Sequence, residues 1–184
     1  LVLFLTLGFV SCNQKEAPTE PNIIIVYLDD LGYGDVSYNG ATKLKTPNMD
    51  EMALAGMRFN NGYATSATCT PSRYALLTGI YPWREKRARI LPGTAPLIIG
   101  TDQMTIPRML KSEGYQTAII GKWHLGLGEG NVNWNELVTP GPNQLGFDYS
   151  YILAATQDRV PTVYIEDGNV VGLDLSQPLS DETF

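Results

Sequence analysis

The chain has 184 residues, enough for one domain of the usual ~100–200 residues with a core of its own. Its hydrophobic share of 43% and charged share of 17% exclude an intrinsically disordered polymer. A net charge of -6 and a pI near 4.7 argue against a nucleic-acid partner, which needs a stripe of Lys and Arg to neutralise phosphates.

The first stretch, LVLFLTLGFVSCNQ, is apolar and ends in small residues and Cys12. It is too short to cross a hydrocarbon layer of ~30 Å as a helix and has the length of a signal-peptide core. KEAPTEP, residues 15–21, follows as a polar tether, so the expected organisation is a signal and tether over 1–21 and a folded portion over 22–184.

NIIIVYLDDLGYGD then opens with an unbroken apolar run, Ile23 to Leu28, rich in β-branched residues. Such a run predicts a strand buried on both faces, as in a central parallel sheet. Asp29 and Asp30 stand at its carboxyl end, where open α/β sheets collect ligands. Adjacent carboxylates repel, and a hard divalent cation relieves the repulsion; a solvated acidic turn is the alternative.

TPNMDEMALAG predicts a helix with Thr46 as N-cap, Pro47 at its first position and Gly56 as its stop, with Met49, Met52 and Ala53 facing a core. MRFNNGYA predicts a short strand or extended segment. In CTPSRYALLTG, Pro71 suits a first helical turn and Gly79 ends the helix, which leaves Cys69 just before the helix N-terminus. Unpaired N–H groups and the helix dipole favour negative charge there, and Arg73 one turn on adds a fork of donors. That is an anion site carrying a reactive sulfur, and with His124, the chain's one histidine, a Cys/His hydrolase would fit. The aspartates would stay unexplained.

The basic run Arg84, Lys86, Arg87 and Arg89 reads as a solvated face or as a rim that attracts an anion. TIPRMLKSEGY predicts a helix capped by Thr105 and ended by Gly114, and QTAII a strand leading into GKWHLG. TVYIEDGNVVGLD predicts a hairpin turning at Asp167-Gly168.

Three of these blocks, NIIIVYLDDLGYGD, CTPSRYALLTG and GKWHLG, taken in order, resemble the type I sulfatases, over about residues 22–150. The resemblance implies an α/β fold, an alkaline-phosphatase-like sandwich with a mixed central sheet flanked by helices. It implies hydrolysis of sulfate esters, on sulfated sugars, by a formylglycine that a maturation enzyme makes from Cys69. It implies Ca2+ held by Asp29, Asp30 and the modified Cys69, with Arg73 holding the formylglycine, Lys122 on a sulfate oxygen and His124 on the hydrate. The stretch GFDYSYILAATQDRVPTVYIEDG is similar to exported bacterial arylsulfatases and N-acetylgalactosamine-6-sulfatases, which places Asp158 and Arg159 toward substrate. The N-terminus is similar to a bacterial lipoprotein signal, with Cys12 as the lipidated residue. The protein is then exported, periplasmic or anchored to the outer membrane.

The family's remaining metal and sulfate ligands belong to a later part of a longer chain, so the sequence is expected to be a fragment. A phosphate or phosphonate ester hydrolase of the same superfamily and a non-catalytic lipoprotein that binds sulfated glycan are the alternatives. Tyr33, Tyr63, Tyr74, Trp83 and Trp134 are candidates for stacking on a sugar face, or for core or rim.

Overall fold

A computed structural model describes residues 20–179. The expected signal and Cys12 lie outside the described residues, as do all but the last two residues of the tether. No described helix is long and apolar enough to cross a membrane. The chain divides after Gly56 into two compact units.

In the first unit, helix α1 spans Pro47–Ala55, with Thr46 at the N-cap position and Gly56 at the C-cap, as its sequence predicts. The Thr46 hydroxyl does not cap the helix. It accepts instead from the Ser37 N–H at 2.9 Å, while the Asp50 carboxylate accepts from Ser37 Oγ at 2.6 Å and the Tyr38 N–H at 2.9 Å. This polar lattice ties α1 to the short turns before it, and Val36 is the buried apolar residue among the unit's described residues.

Two expectations fail here. Residues 23–28 form no strand and are exposed; the strands among the described residues pair only with one another, and an apolar run is not a strand without a ladder. Met52 is 72% exposed and α1 buries none of its residues, so its apolar face does not meet a core within the unit.

The second unit holds a mixed four-stranded sheet in the order β1-β2-β3-β4. Strand β1, Ala118–Lys122, runs parallel to β2, Tyr149–Leu153. Strand β2 pairs antiparallel with β3, Tyr164–Glu166, and β3 with β4, Asn169–Val170. The β3–β4 turn is the expected Asp167-Gly168, with φ of 44° and 84°. Two consecutive positive φ values are what a primed two-residue hairpin turn requires. MRFNNGYA contains no strand and is exposed.

Helix α2 spans Cys69–Thr78 and ends at Gly79, whose φ of 69° suits a residue without a β-carbon. Cys69 is therefore the first helical residue rather than the one before it, a shift of one position. Helix α3, Ile106–Ser112, starts where predicted, its Thr105 side chain accepting from the Arg108 N–H. The Thr105 hydroxyl also donates to the Leu145 carbonyl at 2.6 Å. Asp148 joins α3 to the sheet, accepting from the Lys111 ammonium and from the Thr117 N–H at 2.9 Å. The core gathers Trp123, Leu125, Ile98, Ile99, Leu145 and Ile152, each at most 2% exposed. Tyr74 and Trp134 belong to that core, which removes them as sugar platforms.

Candidate active site

The chemistry-bearing residues of the second unit converge where the start of α2 meets the end of β1. Cys69 is half-buried, and the Lys122 ammonium donates to its Sγ at 3.0 Å. A sulfur, or an oxygen in its place, is thus met by a lysine and by the positive end of a helix dipole. Lys122 is there because β1 ends on it. The register that pairs Lys122 with Leu153 continues as Trp123 N–H to Leu153 O at 2.9 Å and His124 N–H to Ala154 O at 3.0 Å.

Two side chains of α2 stitch the helix to this strand end. Arg73 donates from its guanidinium to the Lys122 carbonyl at 2.6 Å, and the fully buried Thr70 donates its hydroxyl to the His124 carbonyl at 2.7 Å. The second contact was not legible in the sequence, although Thr70 lies inside the CTPSR block. Its partner is a main-chain oxygen 54 residues away, which no side-chain pattern announces.

His124 is 2% exposed and adopts φ 54°, a left-handed conformation that a non-glycine residue keeps only when its surroundings impose it. Three contacts do so: the Ala154 carbonyl on its N–H, Thr70 on its carbonyl, and the Leu91 carbonyl 3.0 Å from Nε2. A carbonyl only accepts, so Nε2 carries the proton and Nδ1 is left as an acceptor. That nitrogen is buried with no hydrogen-bond partner among the described residues. Burial lowers the imidazole pKa most, the Leu91 contact opposes this, and the cations Lys122, Arg159 and Arg73 lower it further. The ring is therefore neutral at physiological pH, an acceptor facing a cationic neighbourhood.

Asp158 and Arg159 belong to the same neighbourhood, since both act electrostatically with His124. The Asp158 carboxyl pKa is lowered, first by the nearby Thr156 hydroxyl, then by its own N–H, with Arg159 and His124 adding to it. Arg159 Nε is buried without a hydrogen-bond partner among the described residues. A β-carbon on Gly93 would stand 3.2 Å from Arg159 Cβ, so the 91–93 segment that holds His124 also seats this loop.

Trp123 packs as expected, 1% exposed, with its indole N–H on the Gly126 carbonyl at 2.7 Å. Gly126 is obligatory. At φ 79° its β-carbon would fall 1.9 Å from the Pro96 carbonyl oxygen. That close approach seats residues 95–98 against 125–128, fixing the chain just past the histidine.

Asp29 and Asp30 lie in the first unit, exposed at a bend, with Asp30 at φ 58°. No group of three His, Cys, Asp or Glu side chains among the described residues is arranged to hold a metal ion. The donor chemistry nonetheless suits a hard cation. The two adjacent carboxylates supply oxygens, the donor type that a hard divalent cation takes.

A family model described as Sulfatase matches residues 21–184. The chain belongs to the sulfatase family. This sulfatase chain is 51% identical over 176 residues to N-acetylgalactosamine-6-O-sulfatase of Bacteroides thetaiotaomicron, covering 92% of the chain and 34% of that relative. It is 38% identical to human steryl-sulfatase over 85% of the chain and 27% of that enzyme. A solved structure from work on the metabolism of multiple glycosaminoglycans by Bacteroides thetaiotaomicron superposes with a TM-score of 0.84 at 53% identity. It covers 86% of this chain and 33% of its own. Another, solved in complex with its substrate D-glucosamine-2-N,6-O-disulfate, gives 0.63 at 34% identity over 83% of this chain and 28% of its own. The sulfatase chain thus spans about a quarter to a third of the length of these relatives. Its mixed sheet with flanking helices is the α/β, alkaline-phosphatase-like fold of sulfatases.

Proposed function

We propose that this chain carries the nucleophile-bearing part of an enzyme that hydrolyses sulfate esters on sulfated sugars. One observation carries the reading: Cys69 heads a helix, 3.0 Å from the Lys122 ammonium, next to a neutral histidine whose Nδ1 has a free lone pair. Sugar substrates are supported by relatives that act on N-acetylgalactosamine 6-O-sulfate or were solved with a sulfated glucosamine.

In this reading Cys69 is oxidised to formylglycine by a maturation enzyme that recognises CTPSR. Its Sγ marks where one of the two geminal hydroxyls of the aldehyde hydrate sits, the other being borne by the same Cβ. One hydroxyl attacks sulfur and displaces the sugar oxygen; loss of the other's proton then re-forms the aldehyde and releases sulfate. A serine would lack that second step. His124 Nδ1 accepts a proton or hydrogen bond from the hydrate, Lys122 holds a sulfate oxygen, and Arg73 offsets the charge that builds up. Asp158 and Arg159 contact the sugar. Calcium, with the carboxylates of Asp29 and Asp30 among its ligands, would supply Lewis-acid polarisation of the sulfate. Export, with a lipid on Cys12, belongs to the same reading.

The test is mass spectrometry of the tryptic peptide spanning residues 59–73, from protein made in its own host. An aldehyde in place of the thiol is expected, together with release of sulfate from a sulfated N-acetylhexosamine and a much slower reaction on the matching phosphate. An intact thiol in protein that is otherwise mature would overturn the reading and leave a sulfated-glycan binder.

A further inference from the structure

The basic run after α2 takes no part in the site just described, yet the structure gives it a definite form. Tyr81 and Trp83 stack on each other, with ring centroids 4.0 Å apart and planes 15° from parallel. Neither is buried: Tyr81 is 51% and Trp83 70% exposed. The turn that presents them is fixed, with Pro82 between them buried and hydrogen bonds from Arg84 N–H to Tyr81 O and Glu85 N–H to Pro82 O. Two large rings held together in solvent gain little for the core, and they offer a flat apolar face with one rotamer set already chosen.

The charges beside them are uneven. Arg87 binds Glu85 through two nitrogens, at 3.0 and 3.2 Å, and donates to the Ile98 carbonyl at 2.9 Å, which consumes the segment's acid. Arg84, Lys86 and Arg89 are exposed, and no ion pair involves them among the described residues. Three uncompensated cations therefore accompany an aromatic platform in a protein of net charge -6.

We propose that Tyr81 and Trp83, with Arg84, Lys86 and Arg89, bind a sulfated polysaccharide chain, the rings stacking on a sugar's apolar face and the cations pairing with its sulfates. The proposal rests on the sulfated-sugar reading above and adds a second contact for the polymer. Cys69 begins α2, a helix of ten residues and about 15 Å that Gly79 ends, so the nucleophile stands at one end of the helix and this platform beyond the other. A single sugar held at Cys69 does not reach it, whereas a chain does, and its two contacts then reinforce each other.

The experiment uses the protein from its host, the Tyr81→Ala/Trp83→Ala variant and the Arg84→Gln/Lys86→Gln/Arg89→Gln variant. Affinity is measured for chondroitin sulfate and its desulfated form, and kcat/KM for nitrophenyl sulfate. Each variant is expected to bind the sulfated polymer about tenfold more weakly while its nitrophenyl sulfate kcat/KM and thermal midpoint hold. Trp83→Phe, which keeps a stack, retains binding. The charge variant also loses the salt dependence seen in the parent. Unchanged polymer affinity in folded variants overturns the proposal, and so does an equal loss on nitrophenyl sulfate. Loss of polymer binding in the variants, with no nitrophenyl sulfate hydrolysis by the parent, upholds the platform and overturns the sulfatase reading instead.

Discussion

Residues 23–28 and 118–122 are both short apolar, β-branched runs that lead directly into chemically active residues, Asp29 and Asp30 in one case, Lys122 and His124 in the other. Only the second is a strand. It lies along β2 with five residue pairs in register, whereas the first belongs to no sheet among the described residues and is exposed throughout. Hydrophobic composition nominates a strand, and a partner makes one. The same difference separates the two sets of site residues: Lys122 and His124 are held from three directions, while the aspartates sit on a bend.

Amide hydrogen exchange gives the largest contrast. Amides of 23–28 are expected to exchange near the unprotected rate and those in the β1–β2 ladder orders of magnitude more slowly. Protection of both runs would break the comparison by showing that a partner strand covers 23–28 in solution. Next in size is Gly126→Ala, which drives a β-carbon into the Pro96 carbonyl at a left-handed φ. We expect a loss of ~3 kcal/mol or more, read as a fall in the thermal midpoint of the second unit.

Thr70→Val removes a buried donor without changing shape and leaves the His124 carbonyl unsatisfied, at a cost of ~1–3 kcal/mol. If Thr70 positions the histidine, kcat falls with KM little changed and Thr70→Ser restores it. The formylglycine content, measured in parallel, must stay constant for that result to concern His124. Equal kcat for the Val and Ser variants would reduce Thr70 to a packing residue.

The smallest effect is in acid. The folded pKa of His124 lies below its ordinary 6.5, so the unfolded chain takes up a proton that the folded one refuses. Its contribution to stability is complete above about pH 6.5 and is lost as pH falls from there toward the folded value. The parent should therefore lose more thermal stability on acidification than His124→Gln, and parallel curves would show that the ring is not buried neutral.

The elements legible in the sequence are those with local causes. The bounds of α1 and α3 follow from Thr, Pro and Gly at their ends, the hairpin from Asp167-Gly168, and the first turn of α2 from Pro71. Cys69, Arg73, Lys122 and His124 were legible as a set through their motif blocks, and the structure brings them together. The Thr70 tie, the Leu91 carbonyl on His124 and the seat of Arg159 on Gly93 were not, because each joins segments 33 to 66 positions apart through main-chain atoms or a missing side chain. Residues 23–28 misled for the same reason: partnership is not written in the run itself.

The clamp between α2 and β1 reads main-chain oxygens, those of residues 122 and 124. Every residue type offers that oxygen, so the side chains at both positions can be exchanged without undoing the clamp. Inserting or deleting a single residue between 118 and 126 would instead slide every contact at once. The clamp is thus tolerant of substitution at 122 and 124 and intolerant of changes in spacing, so the chemistry presented beside Cys69 can vary only while the segment that presents it keeps its length.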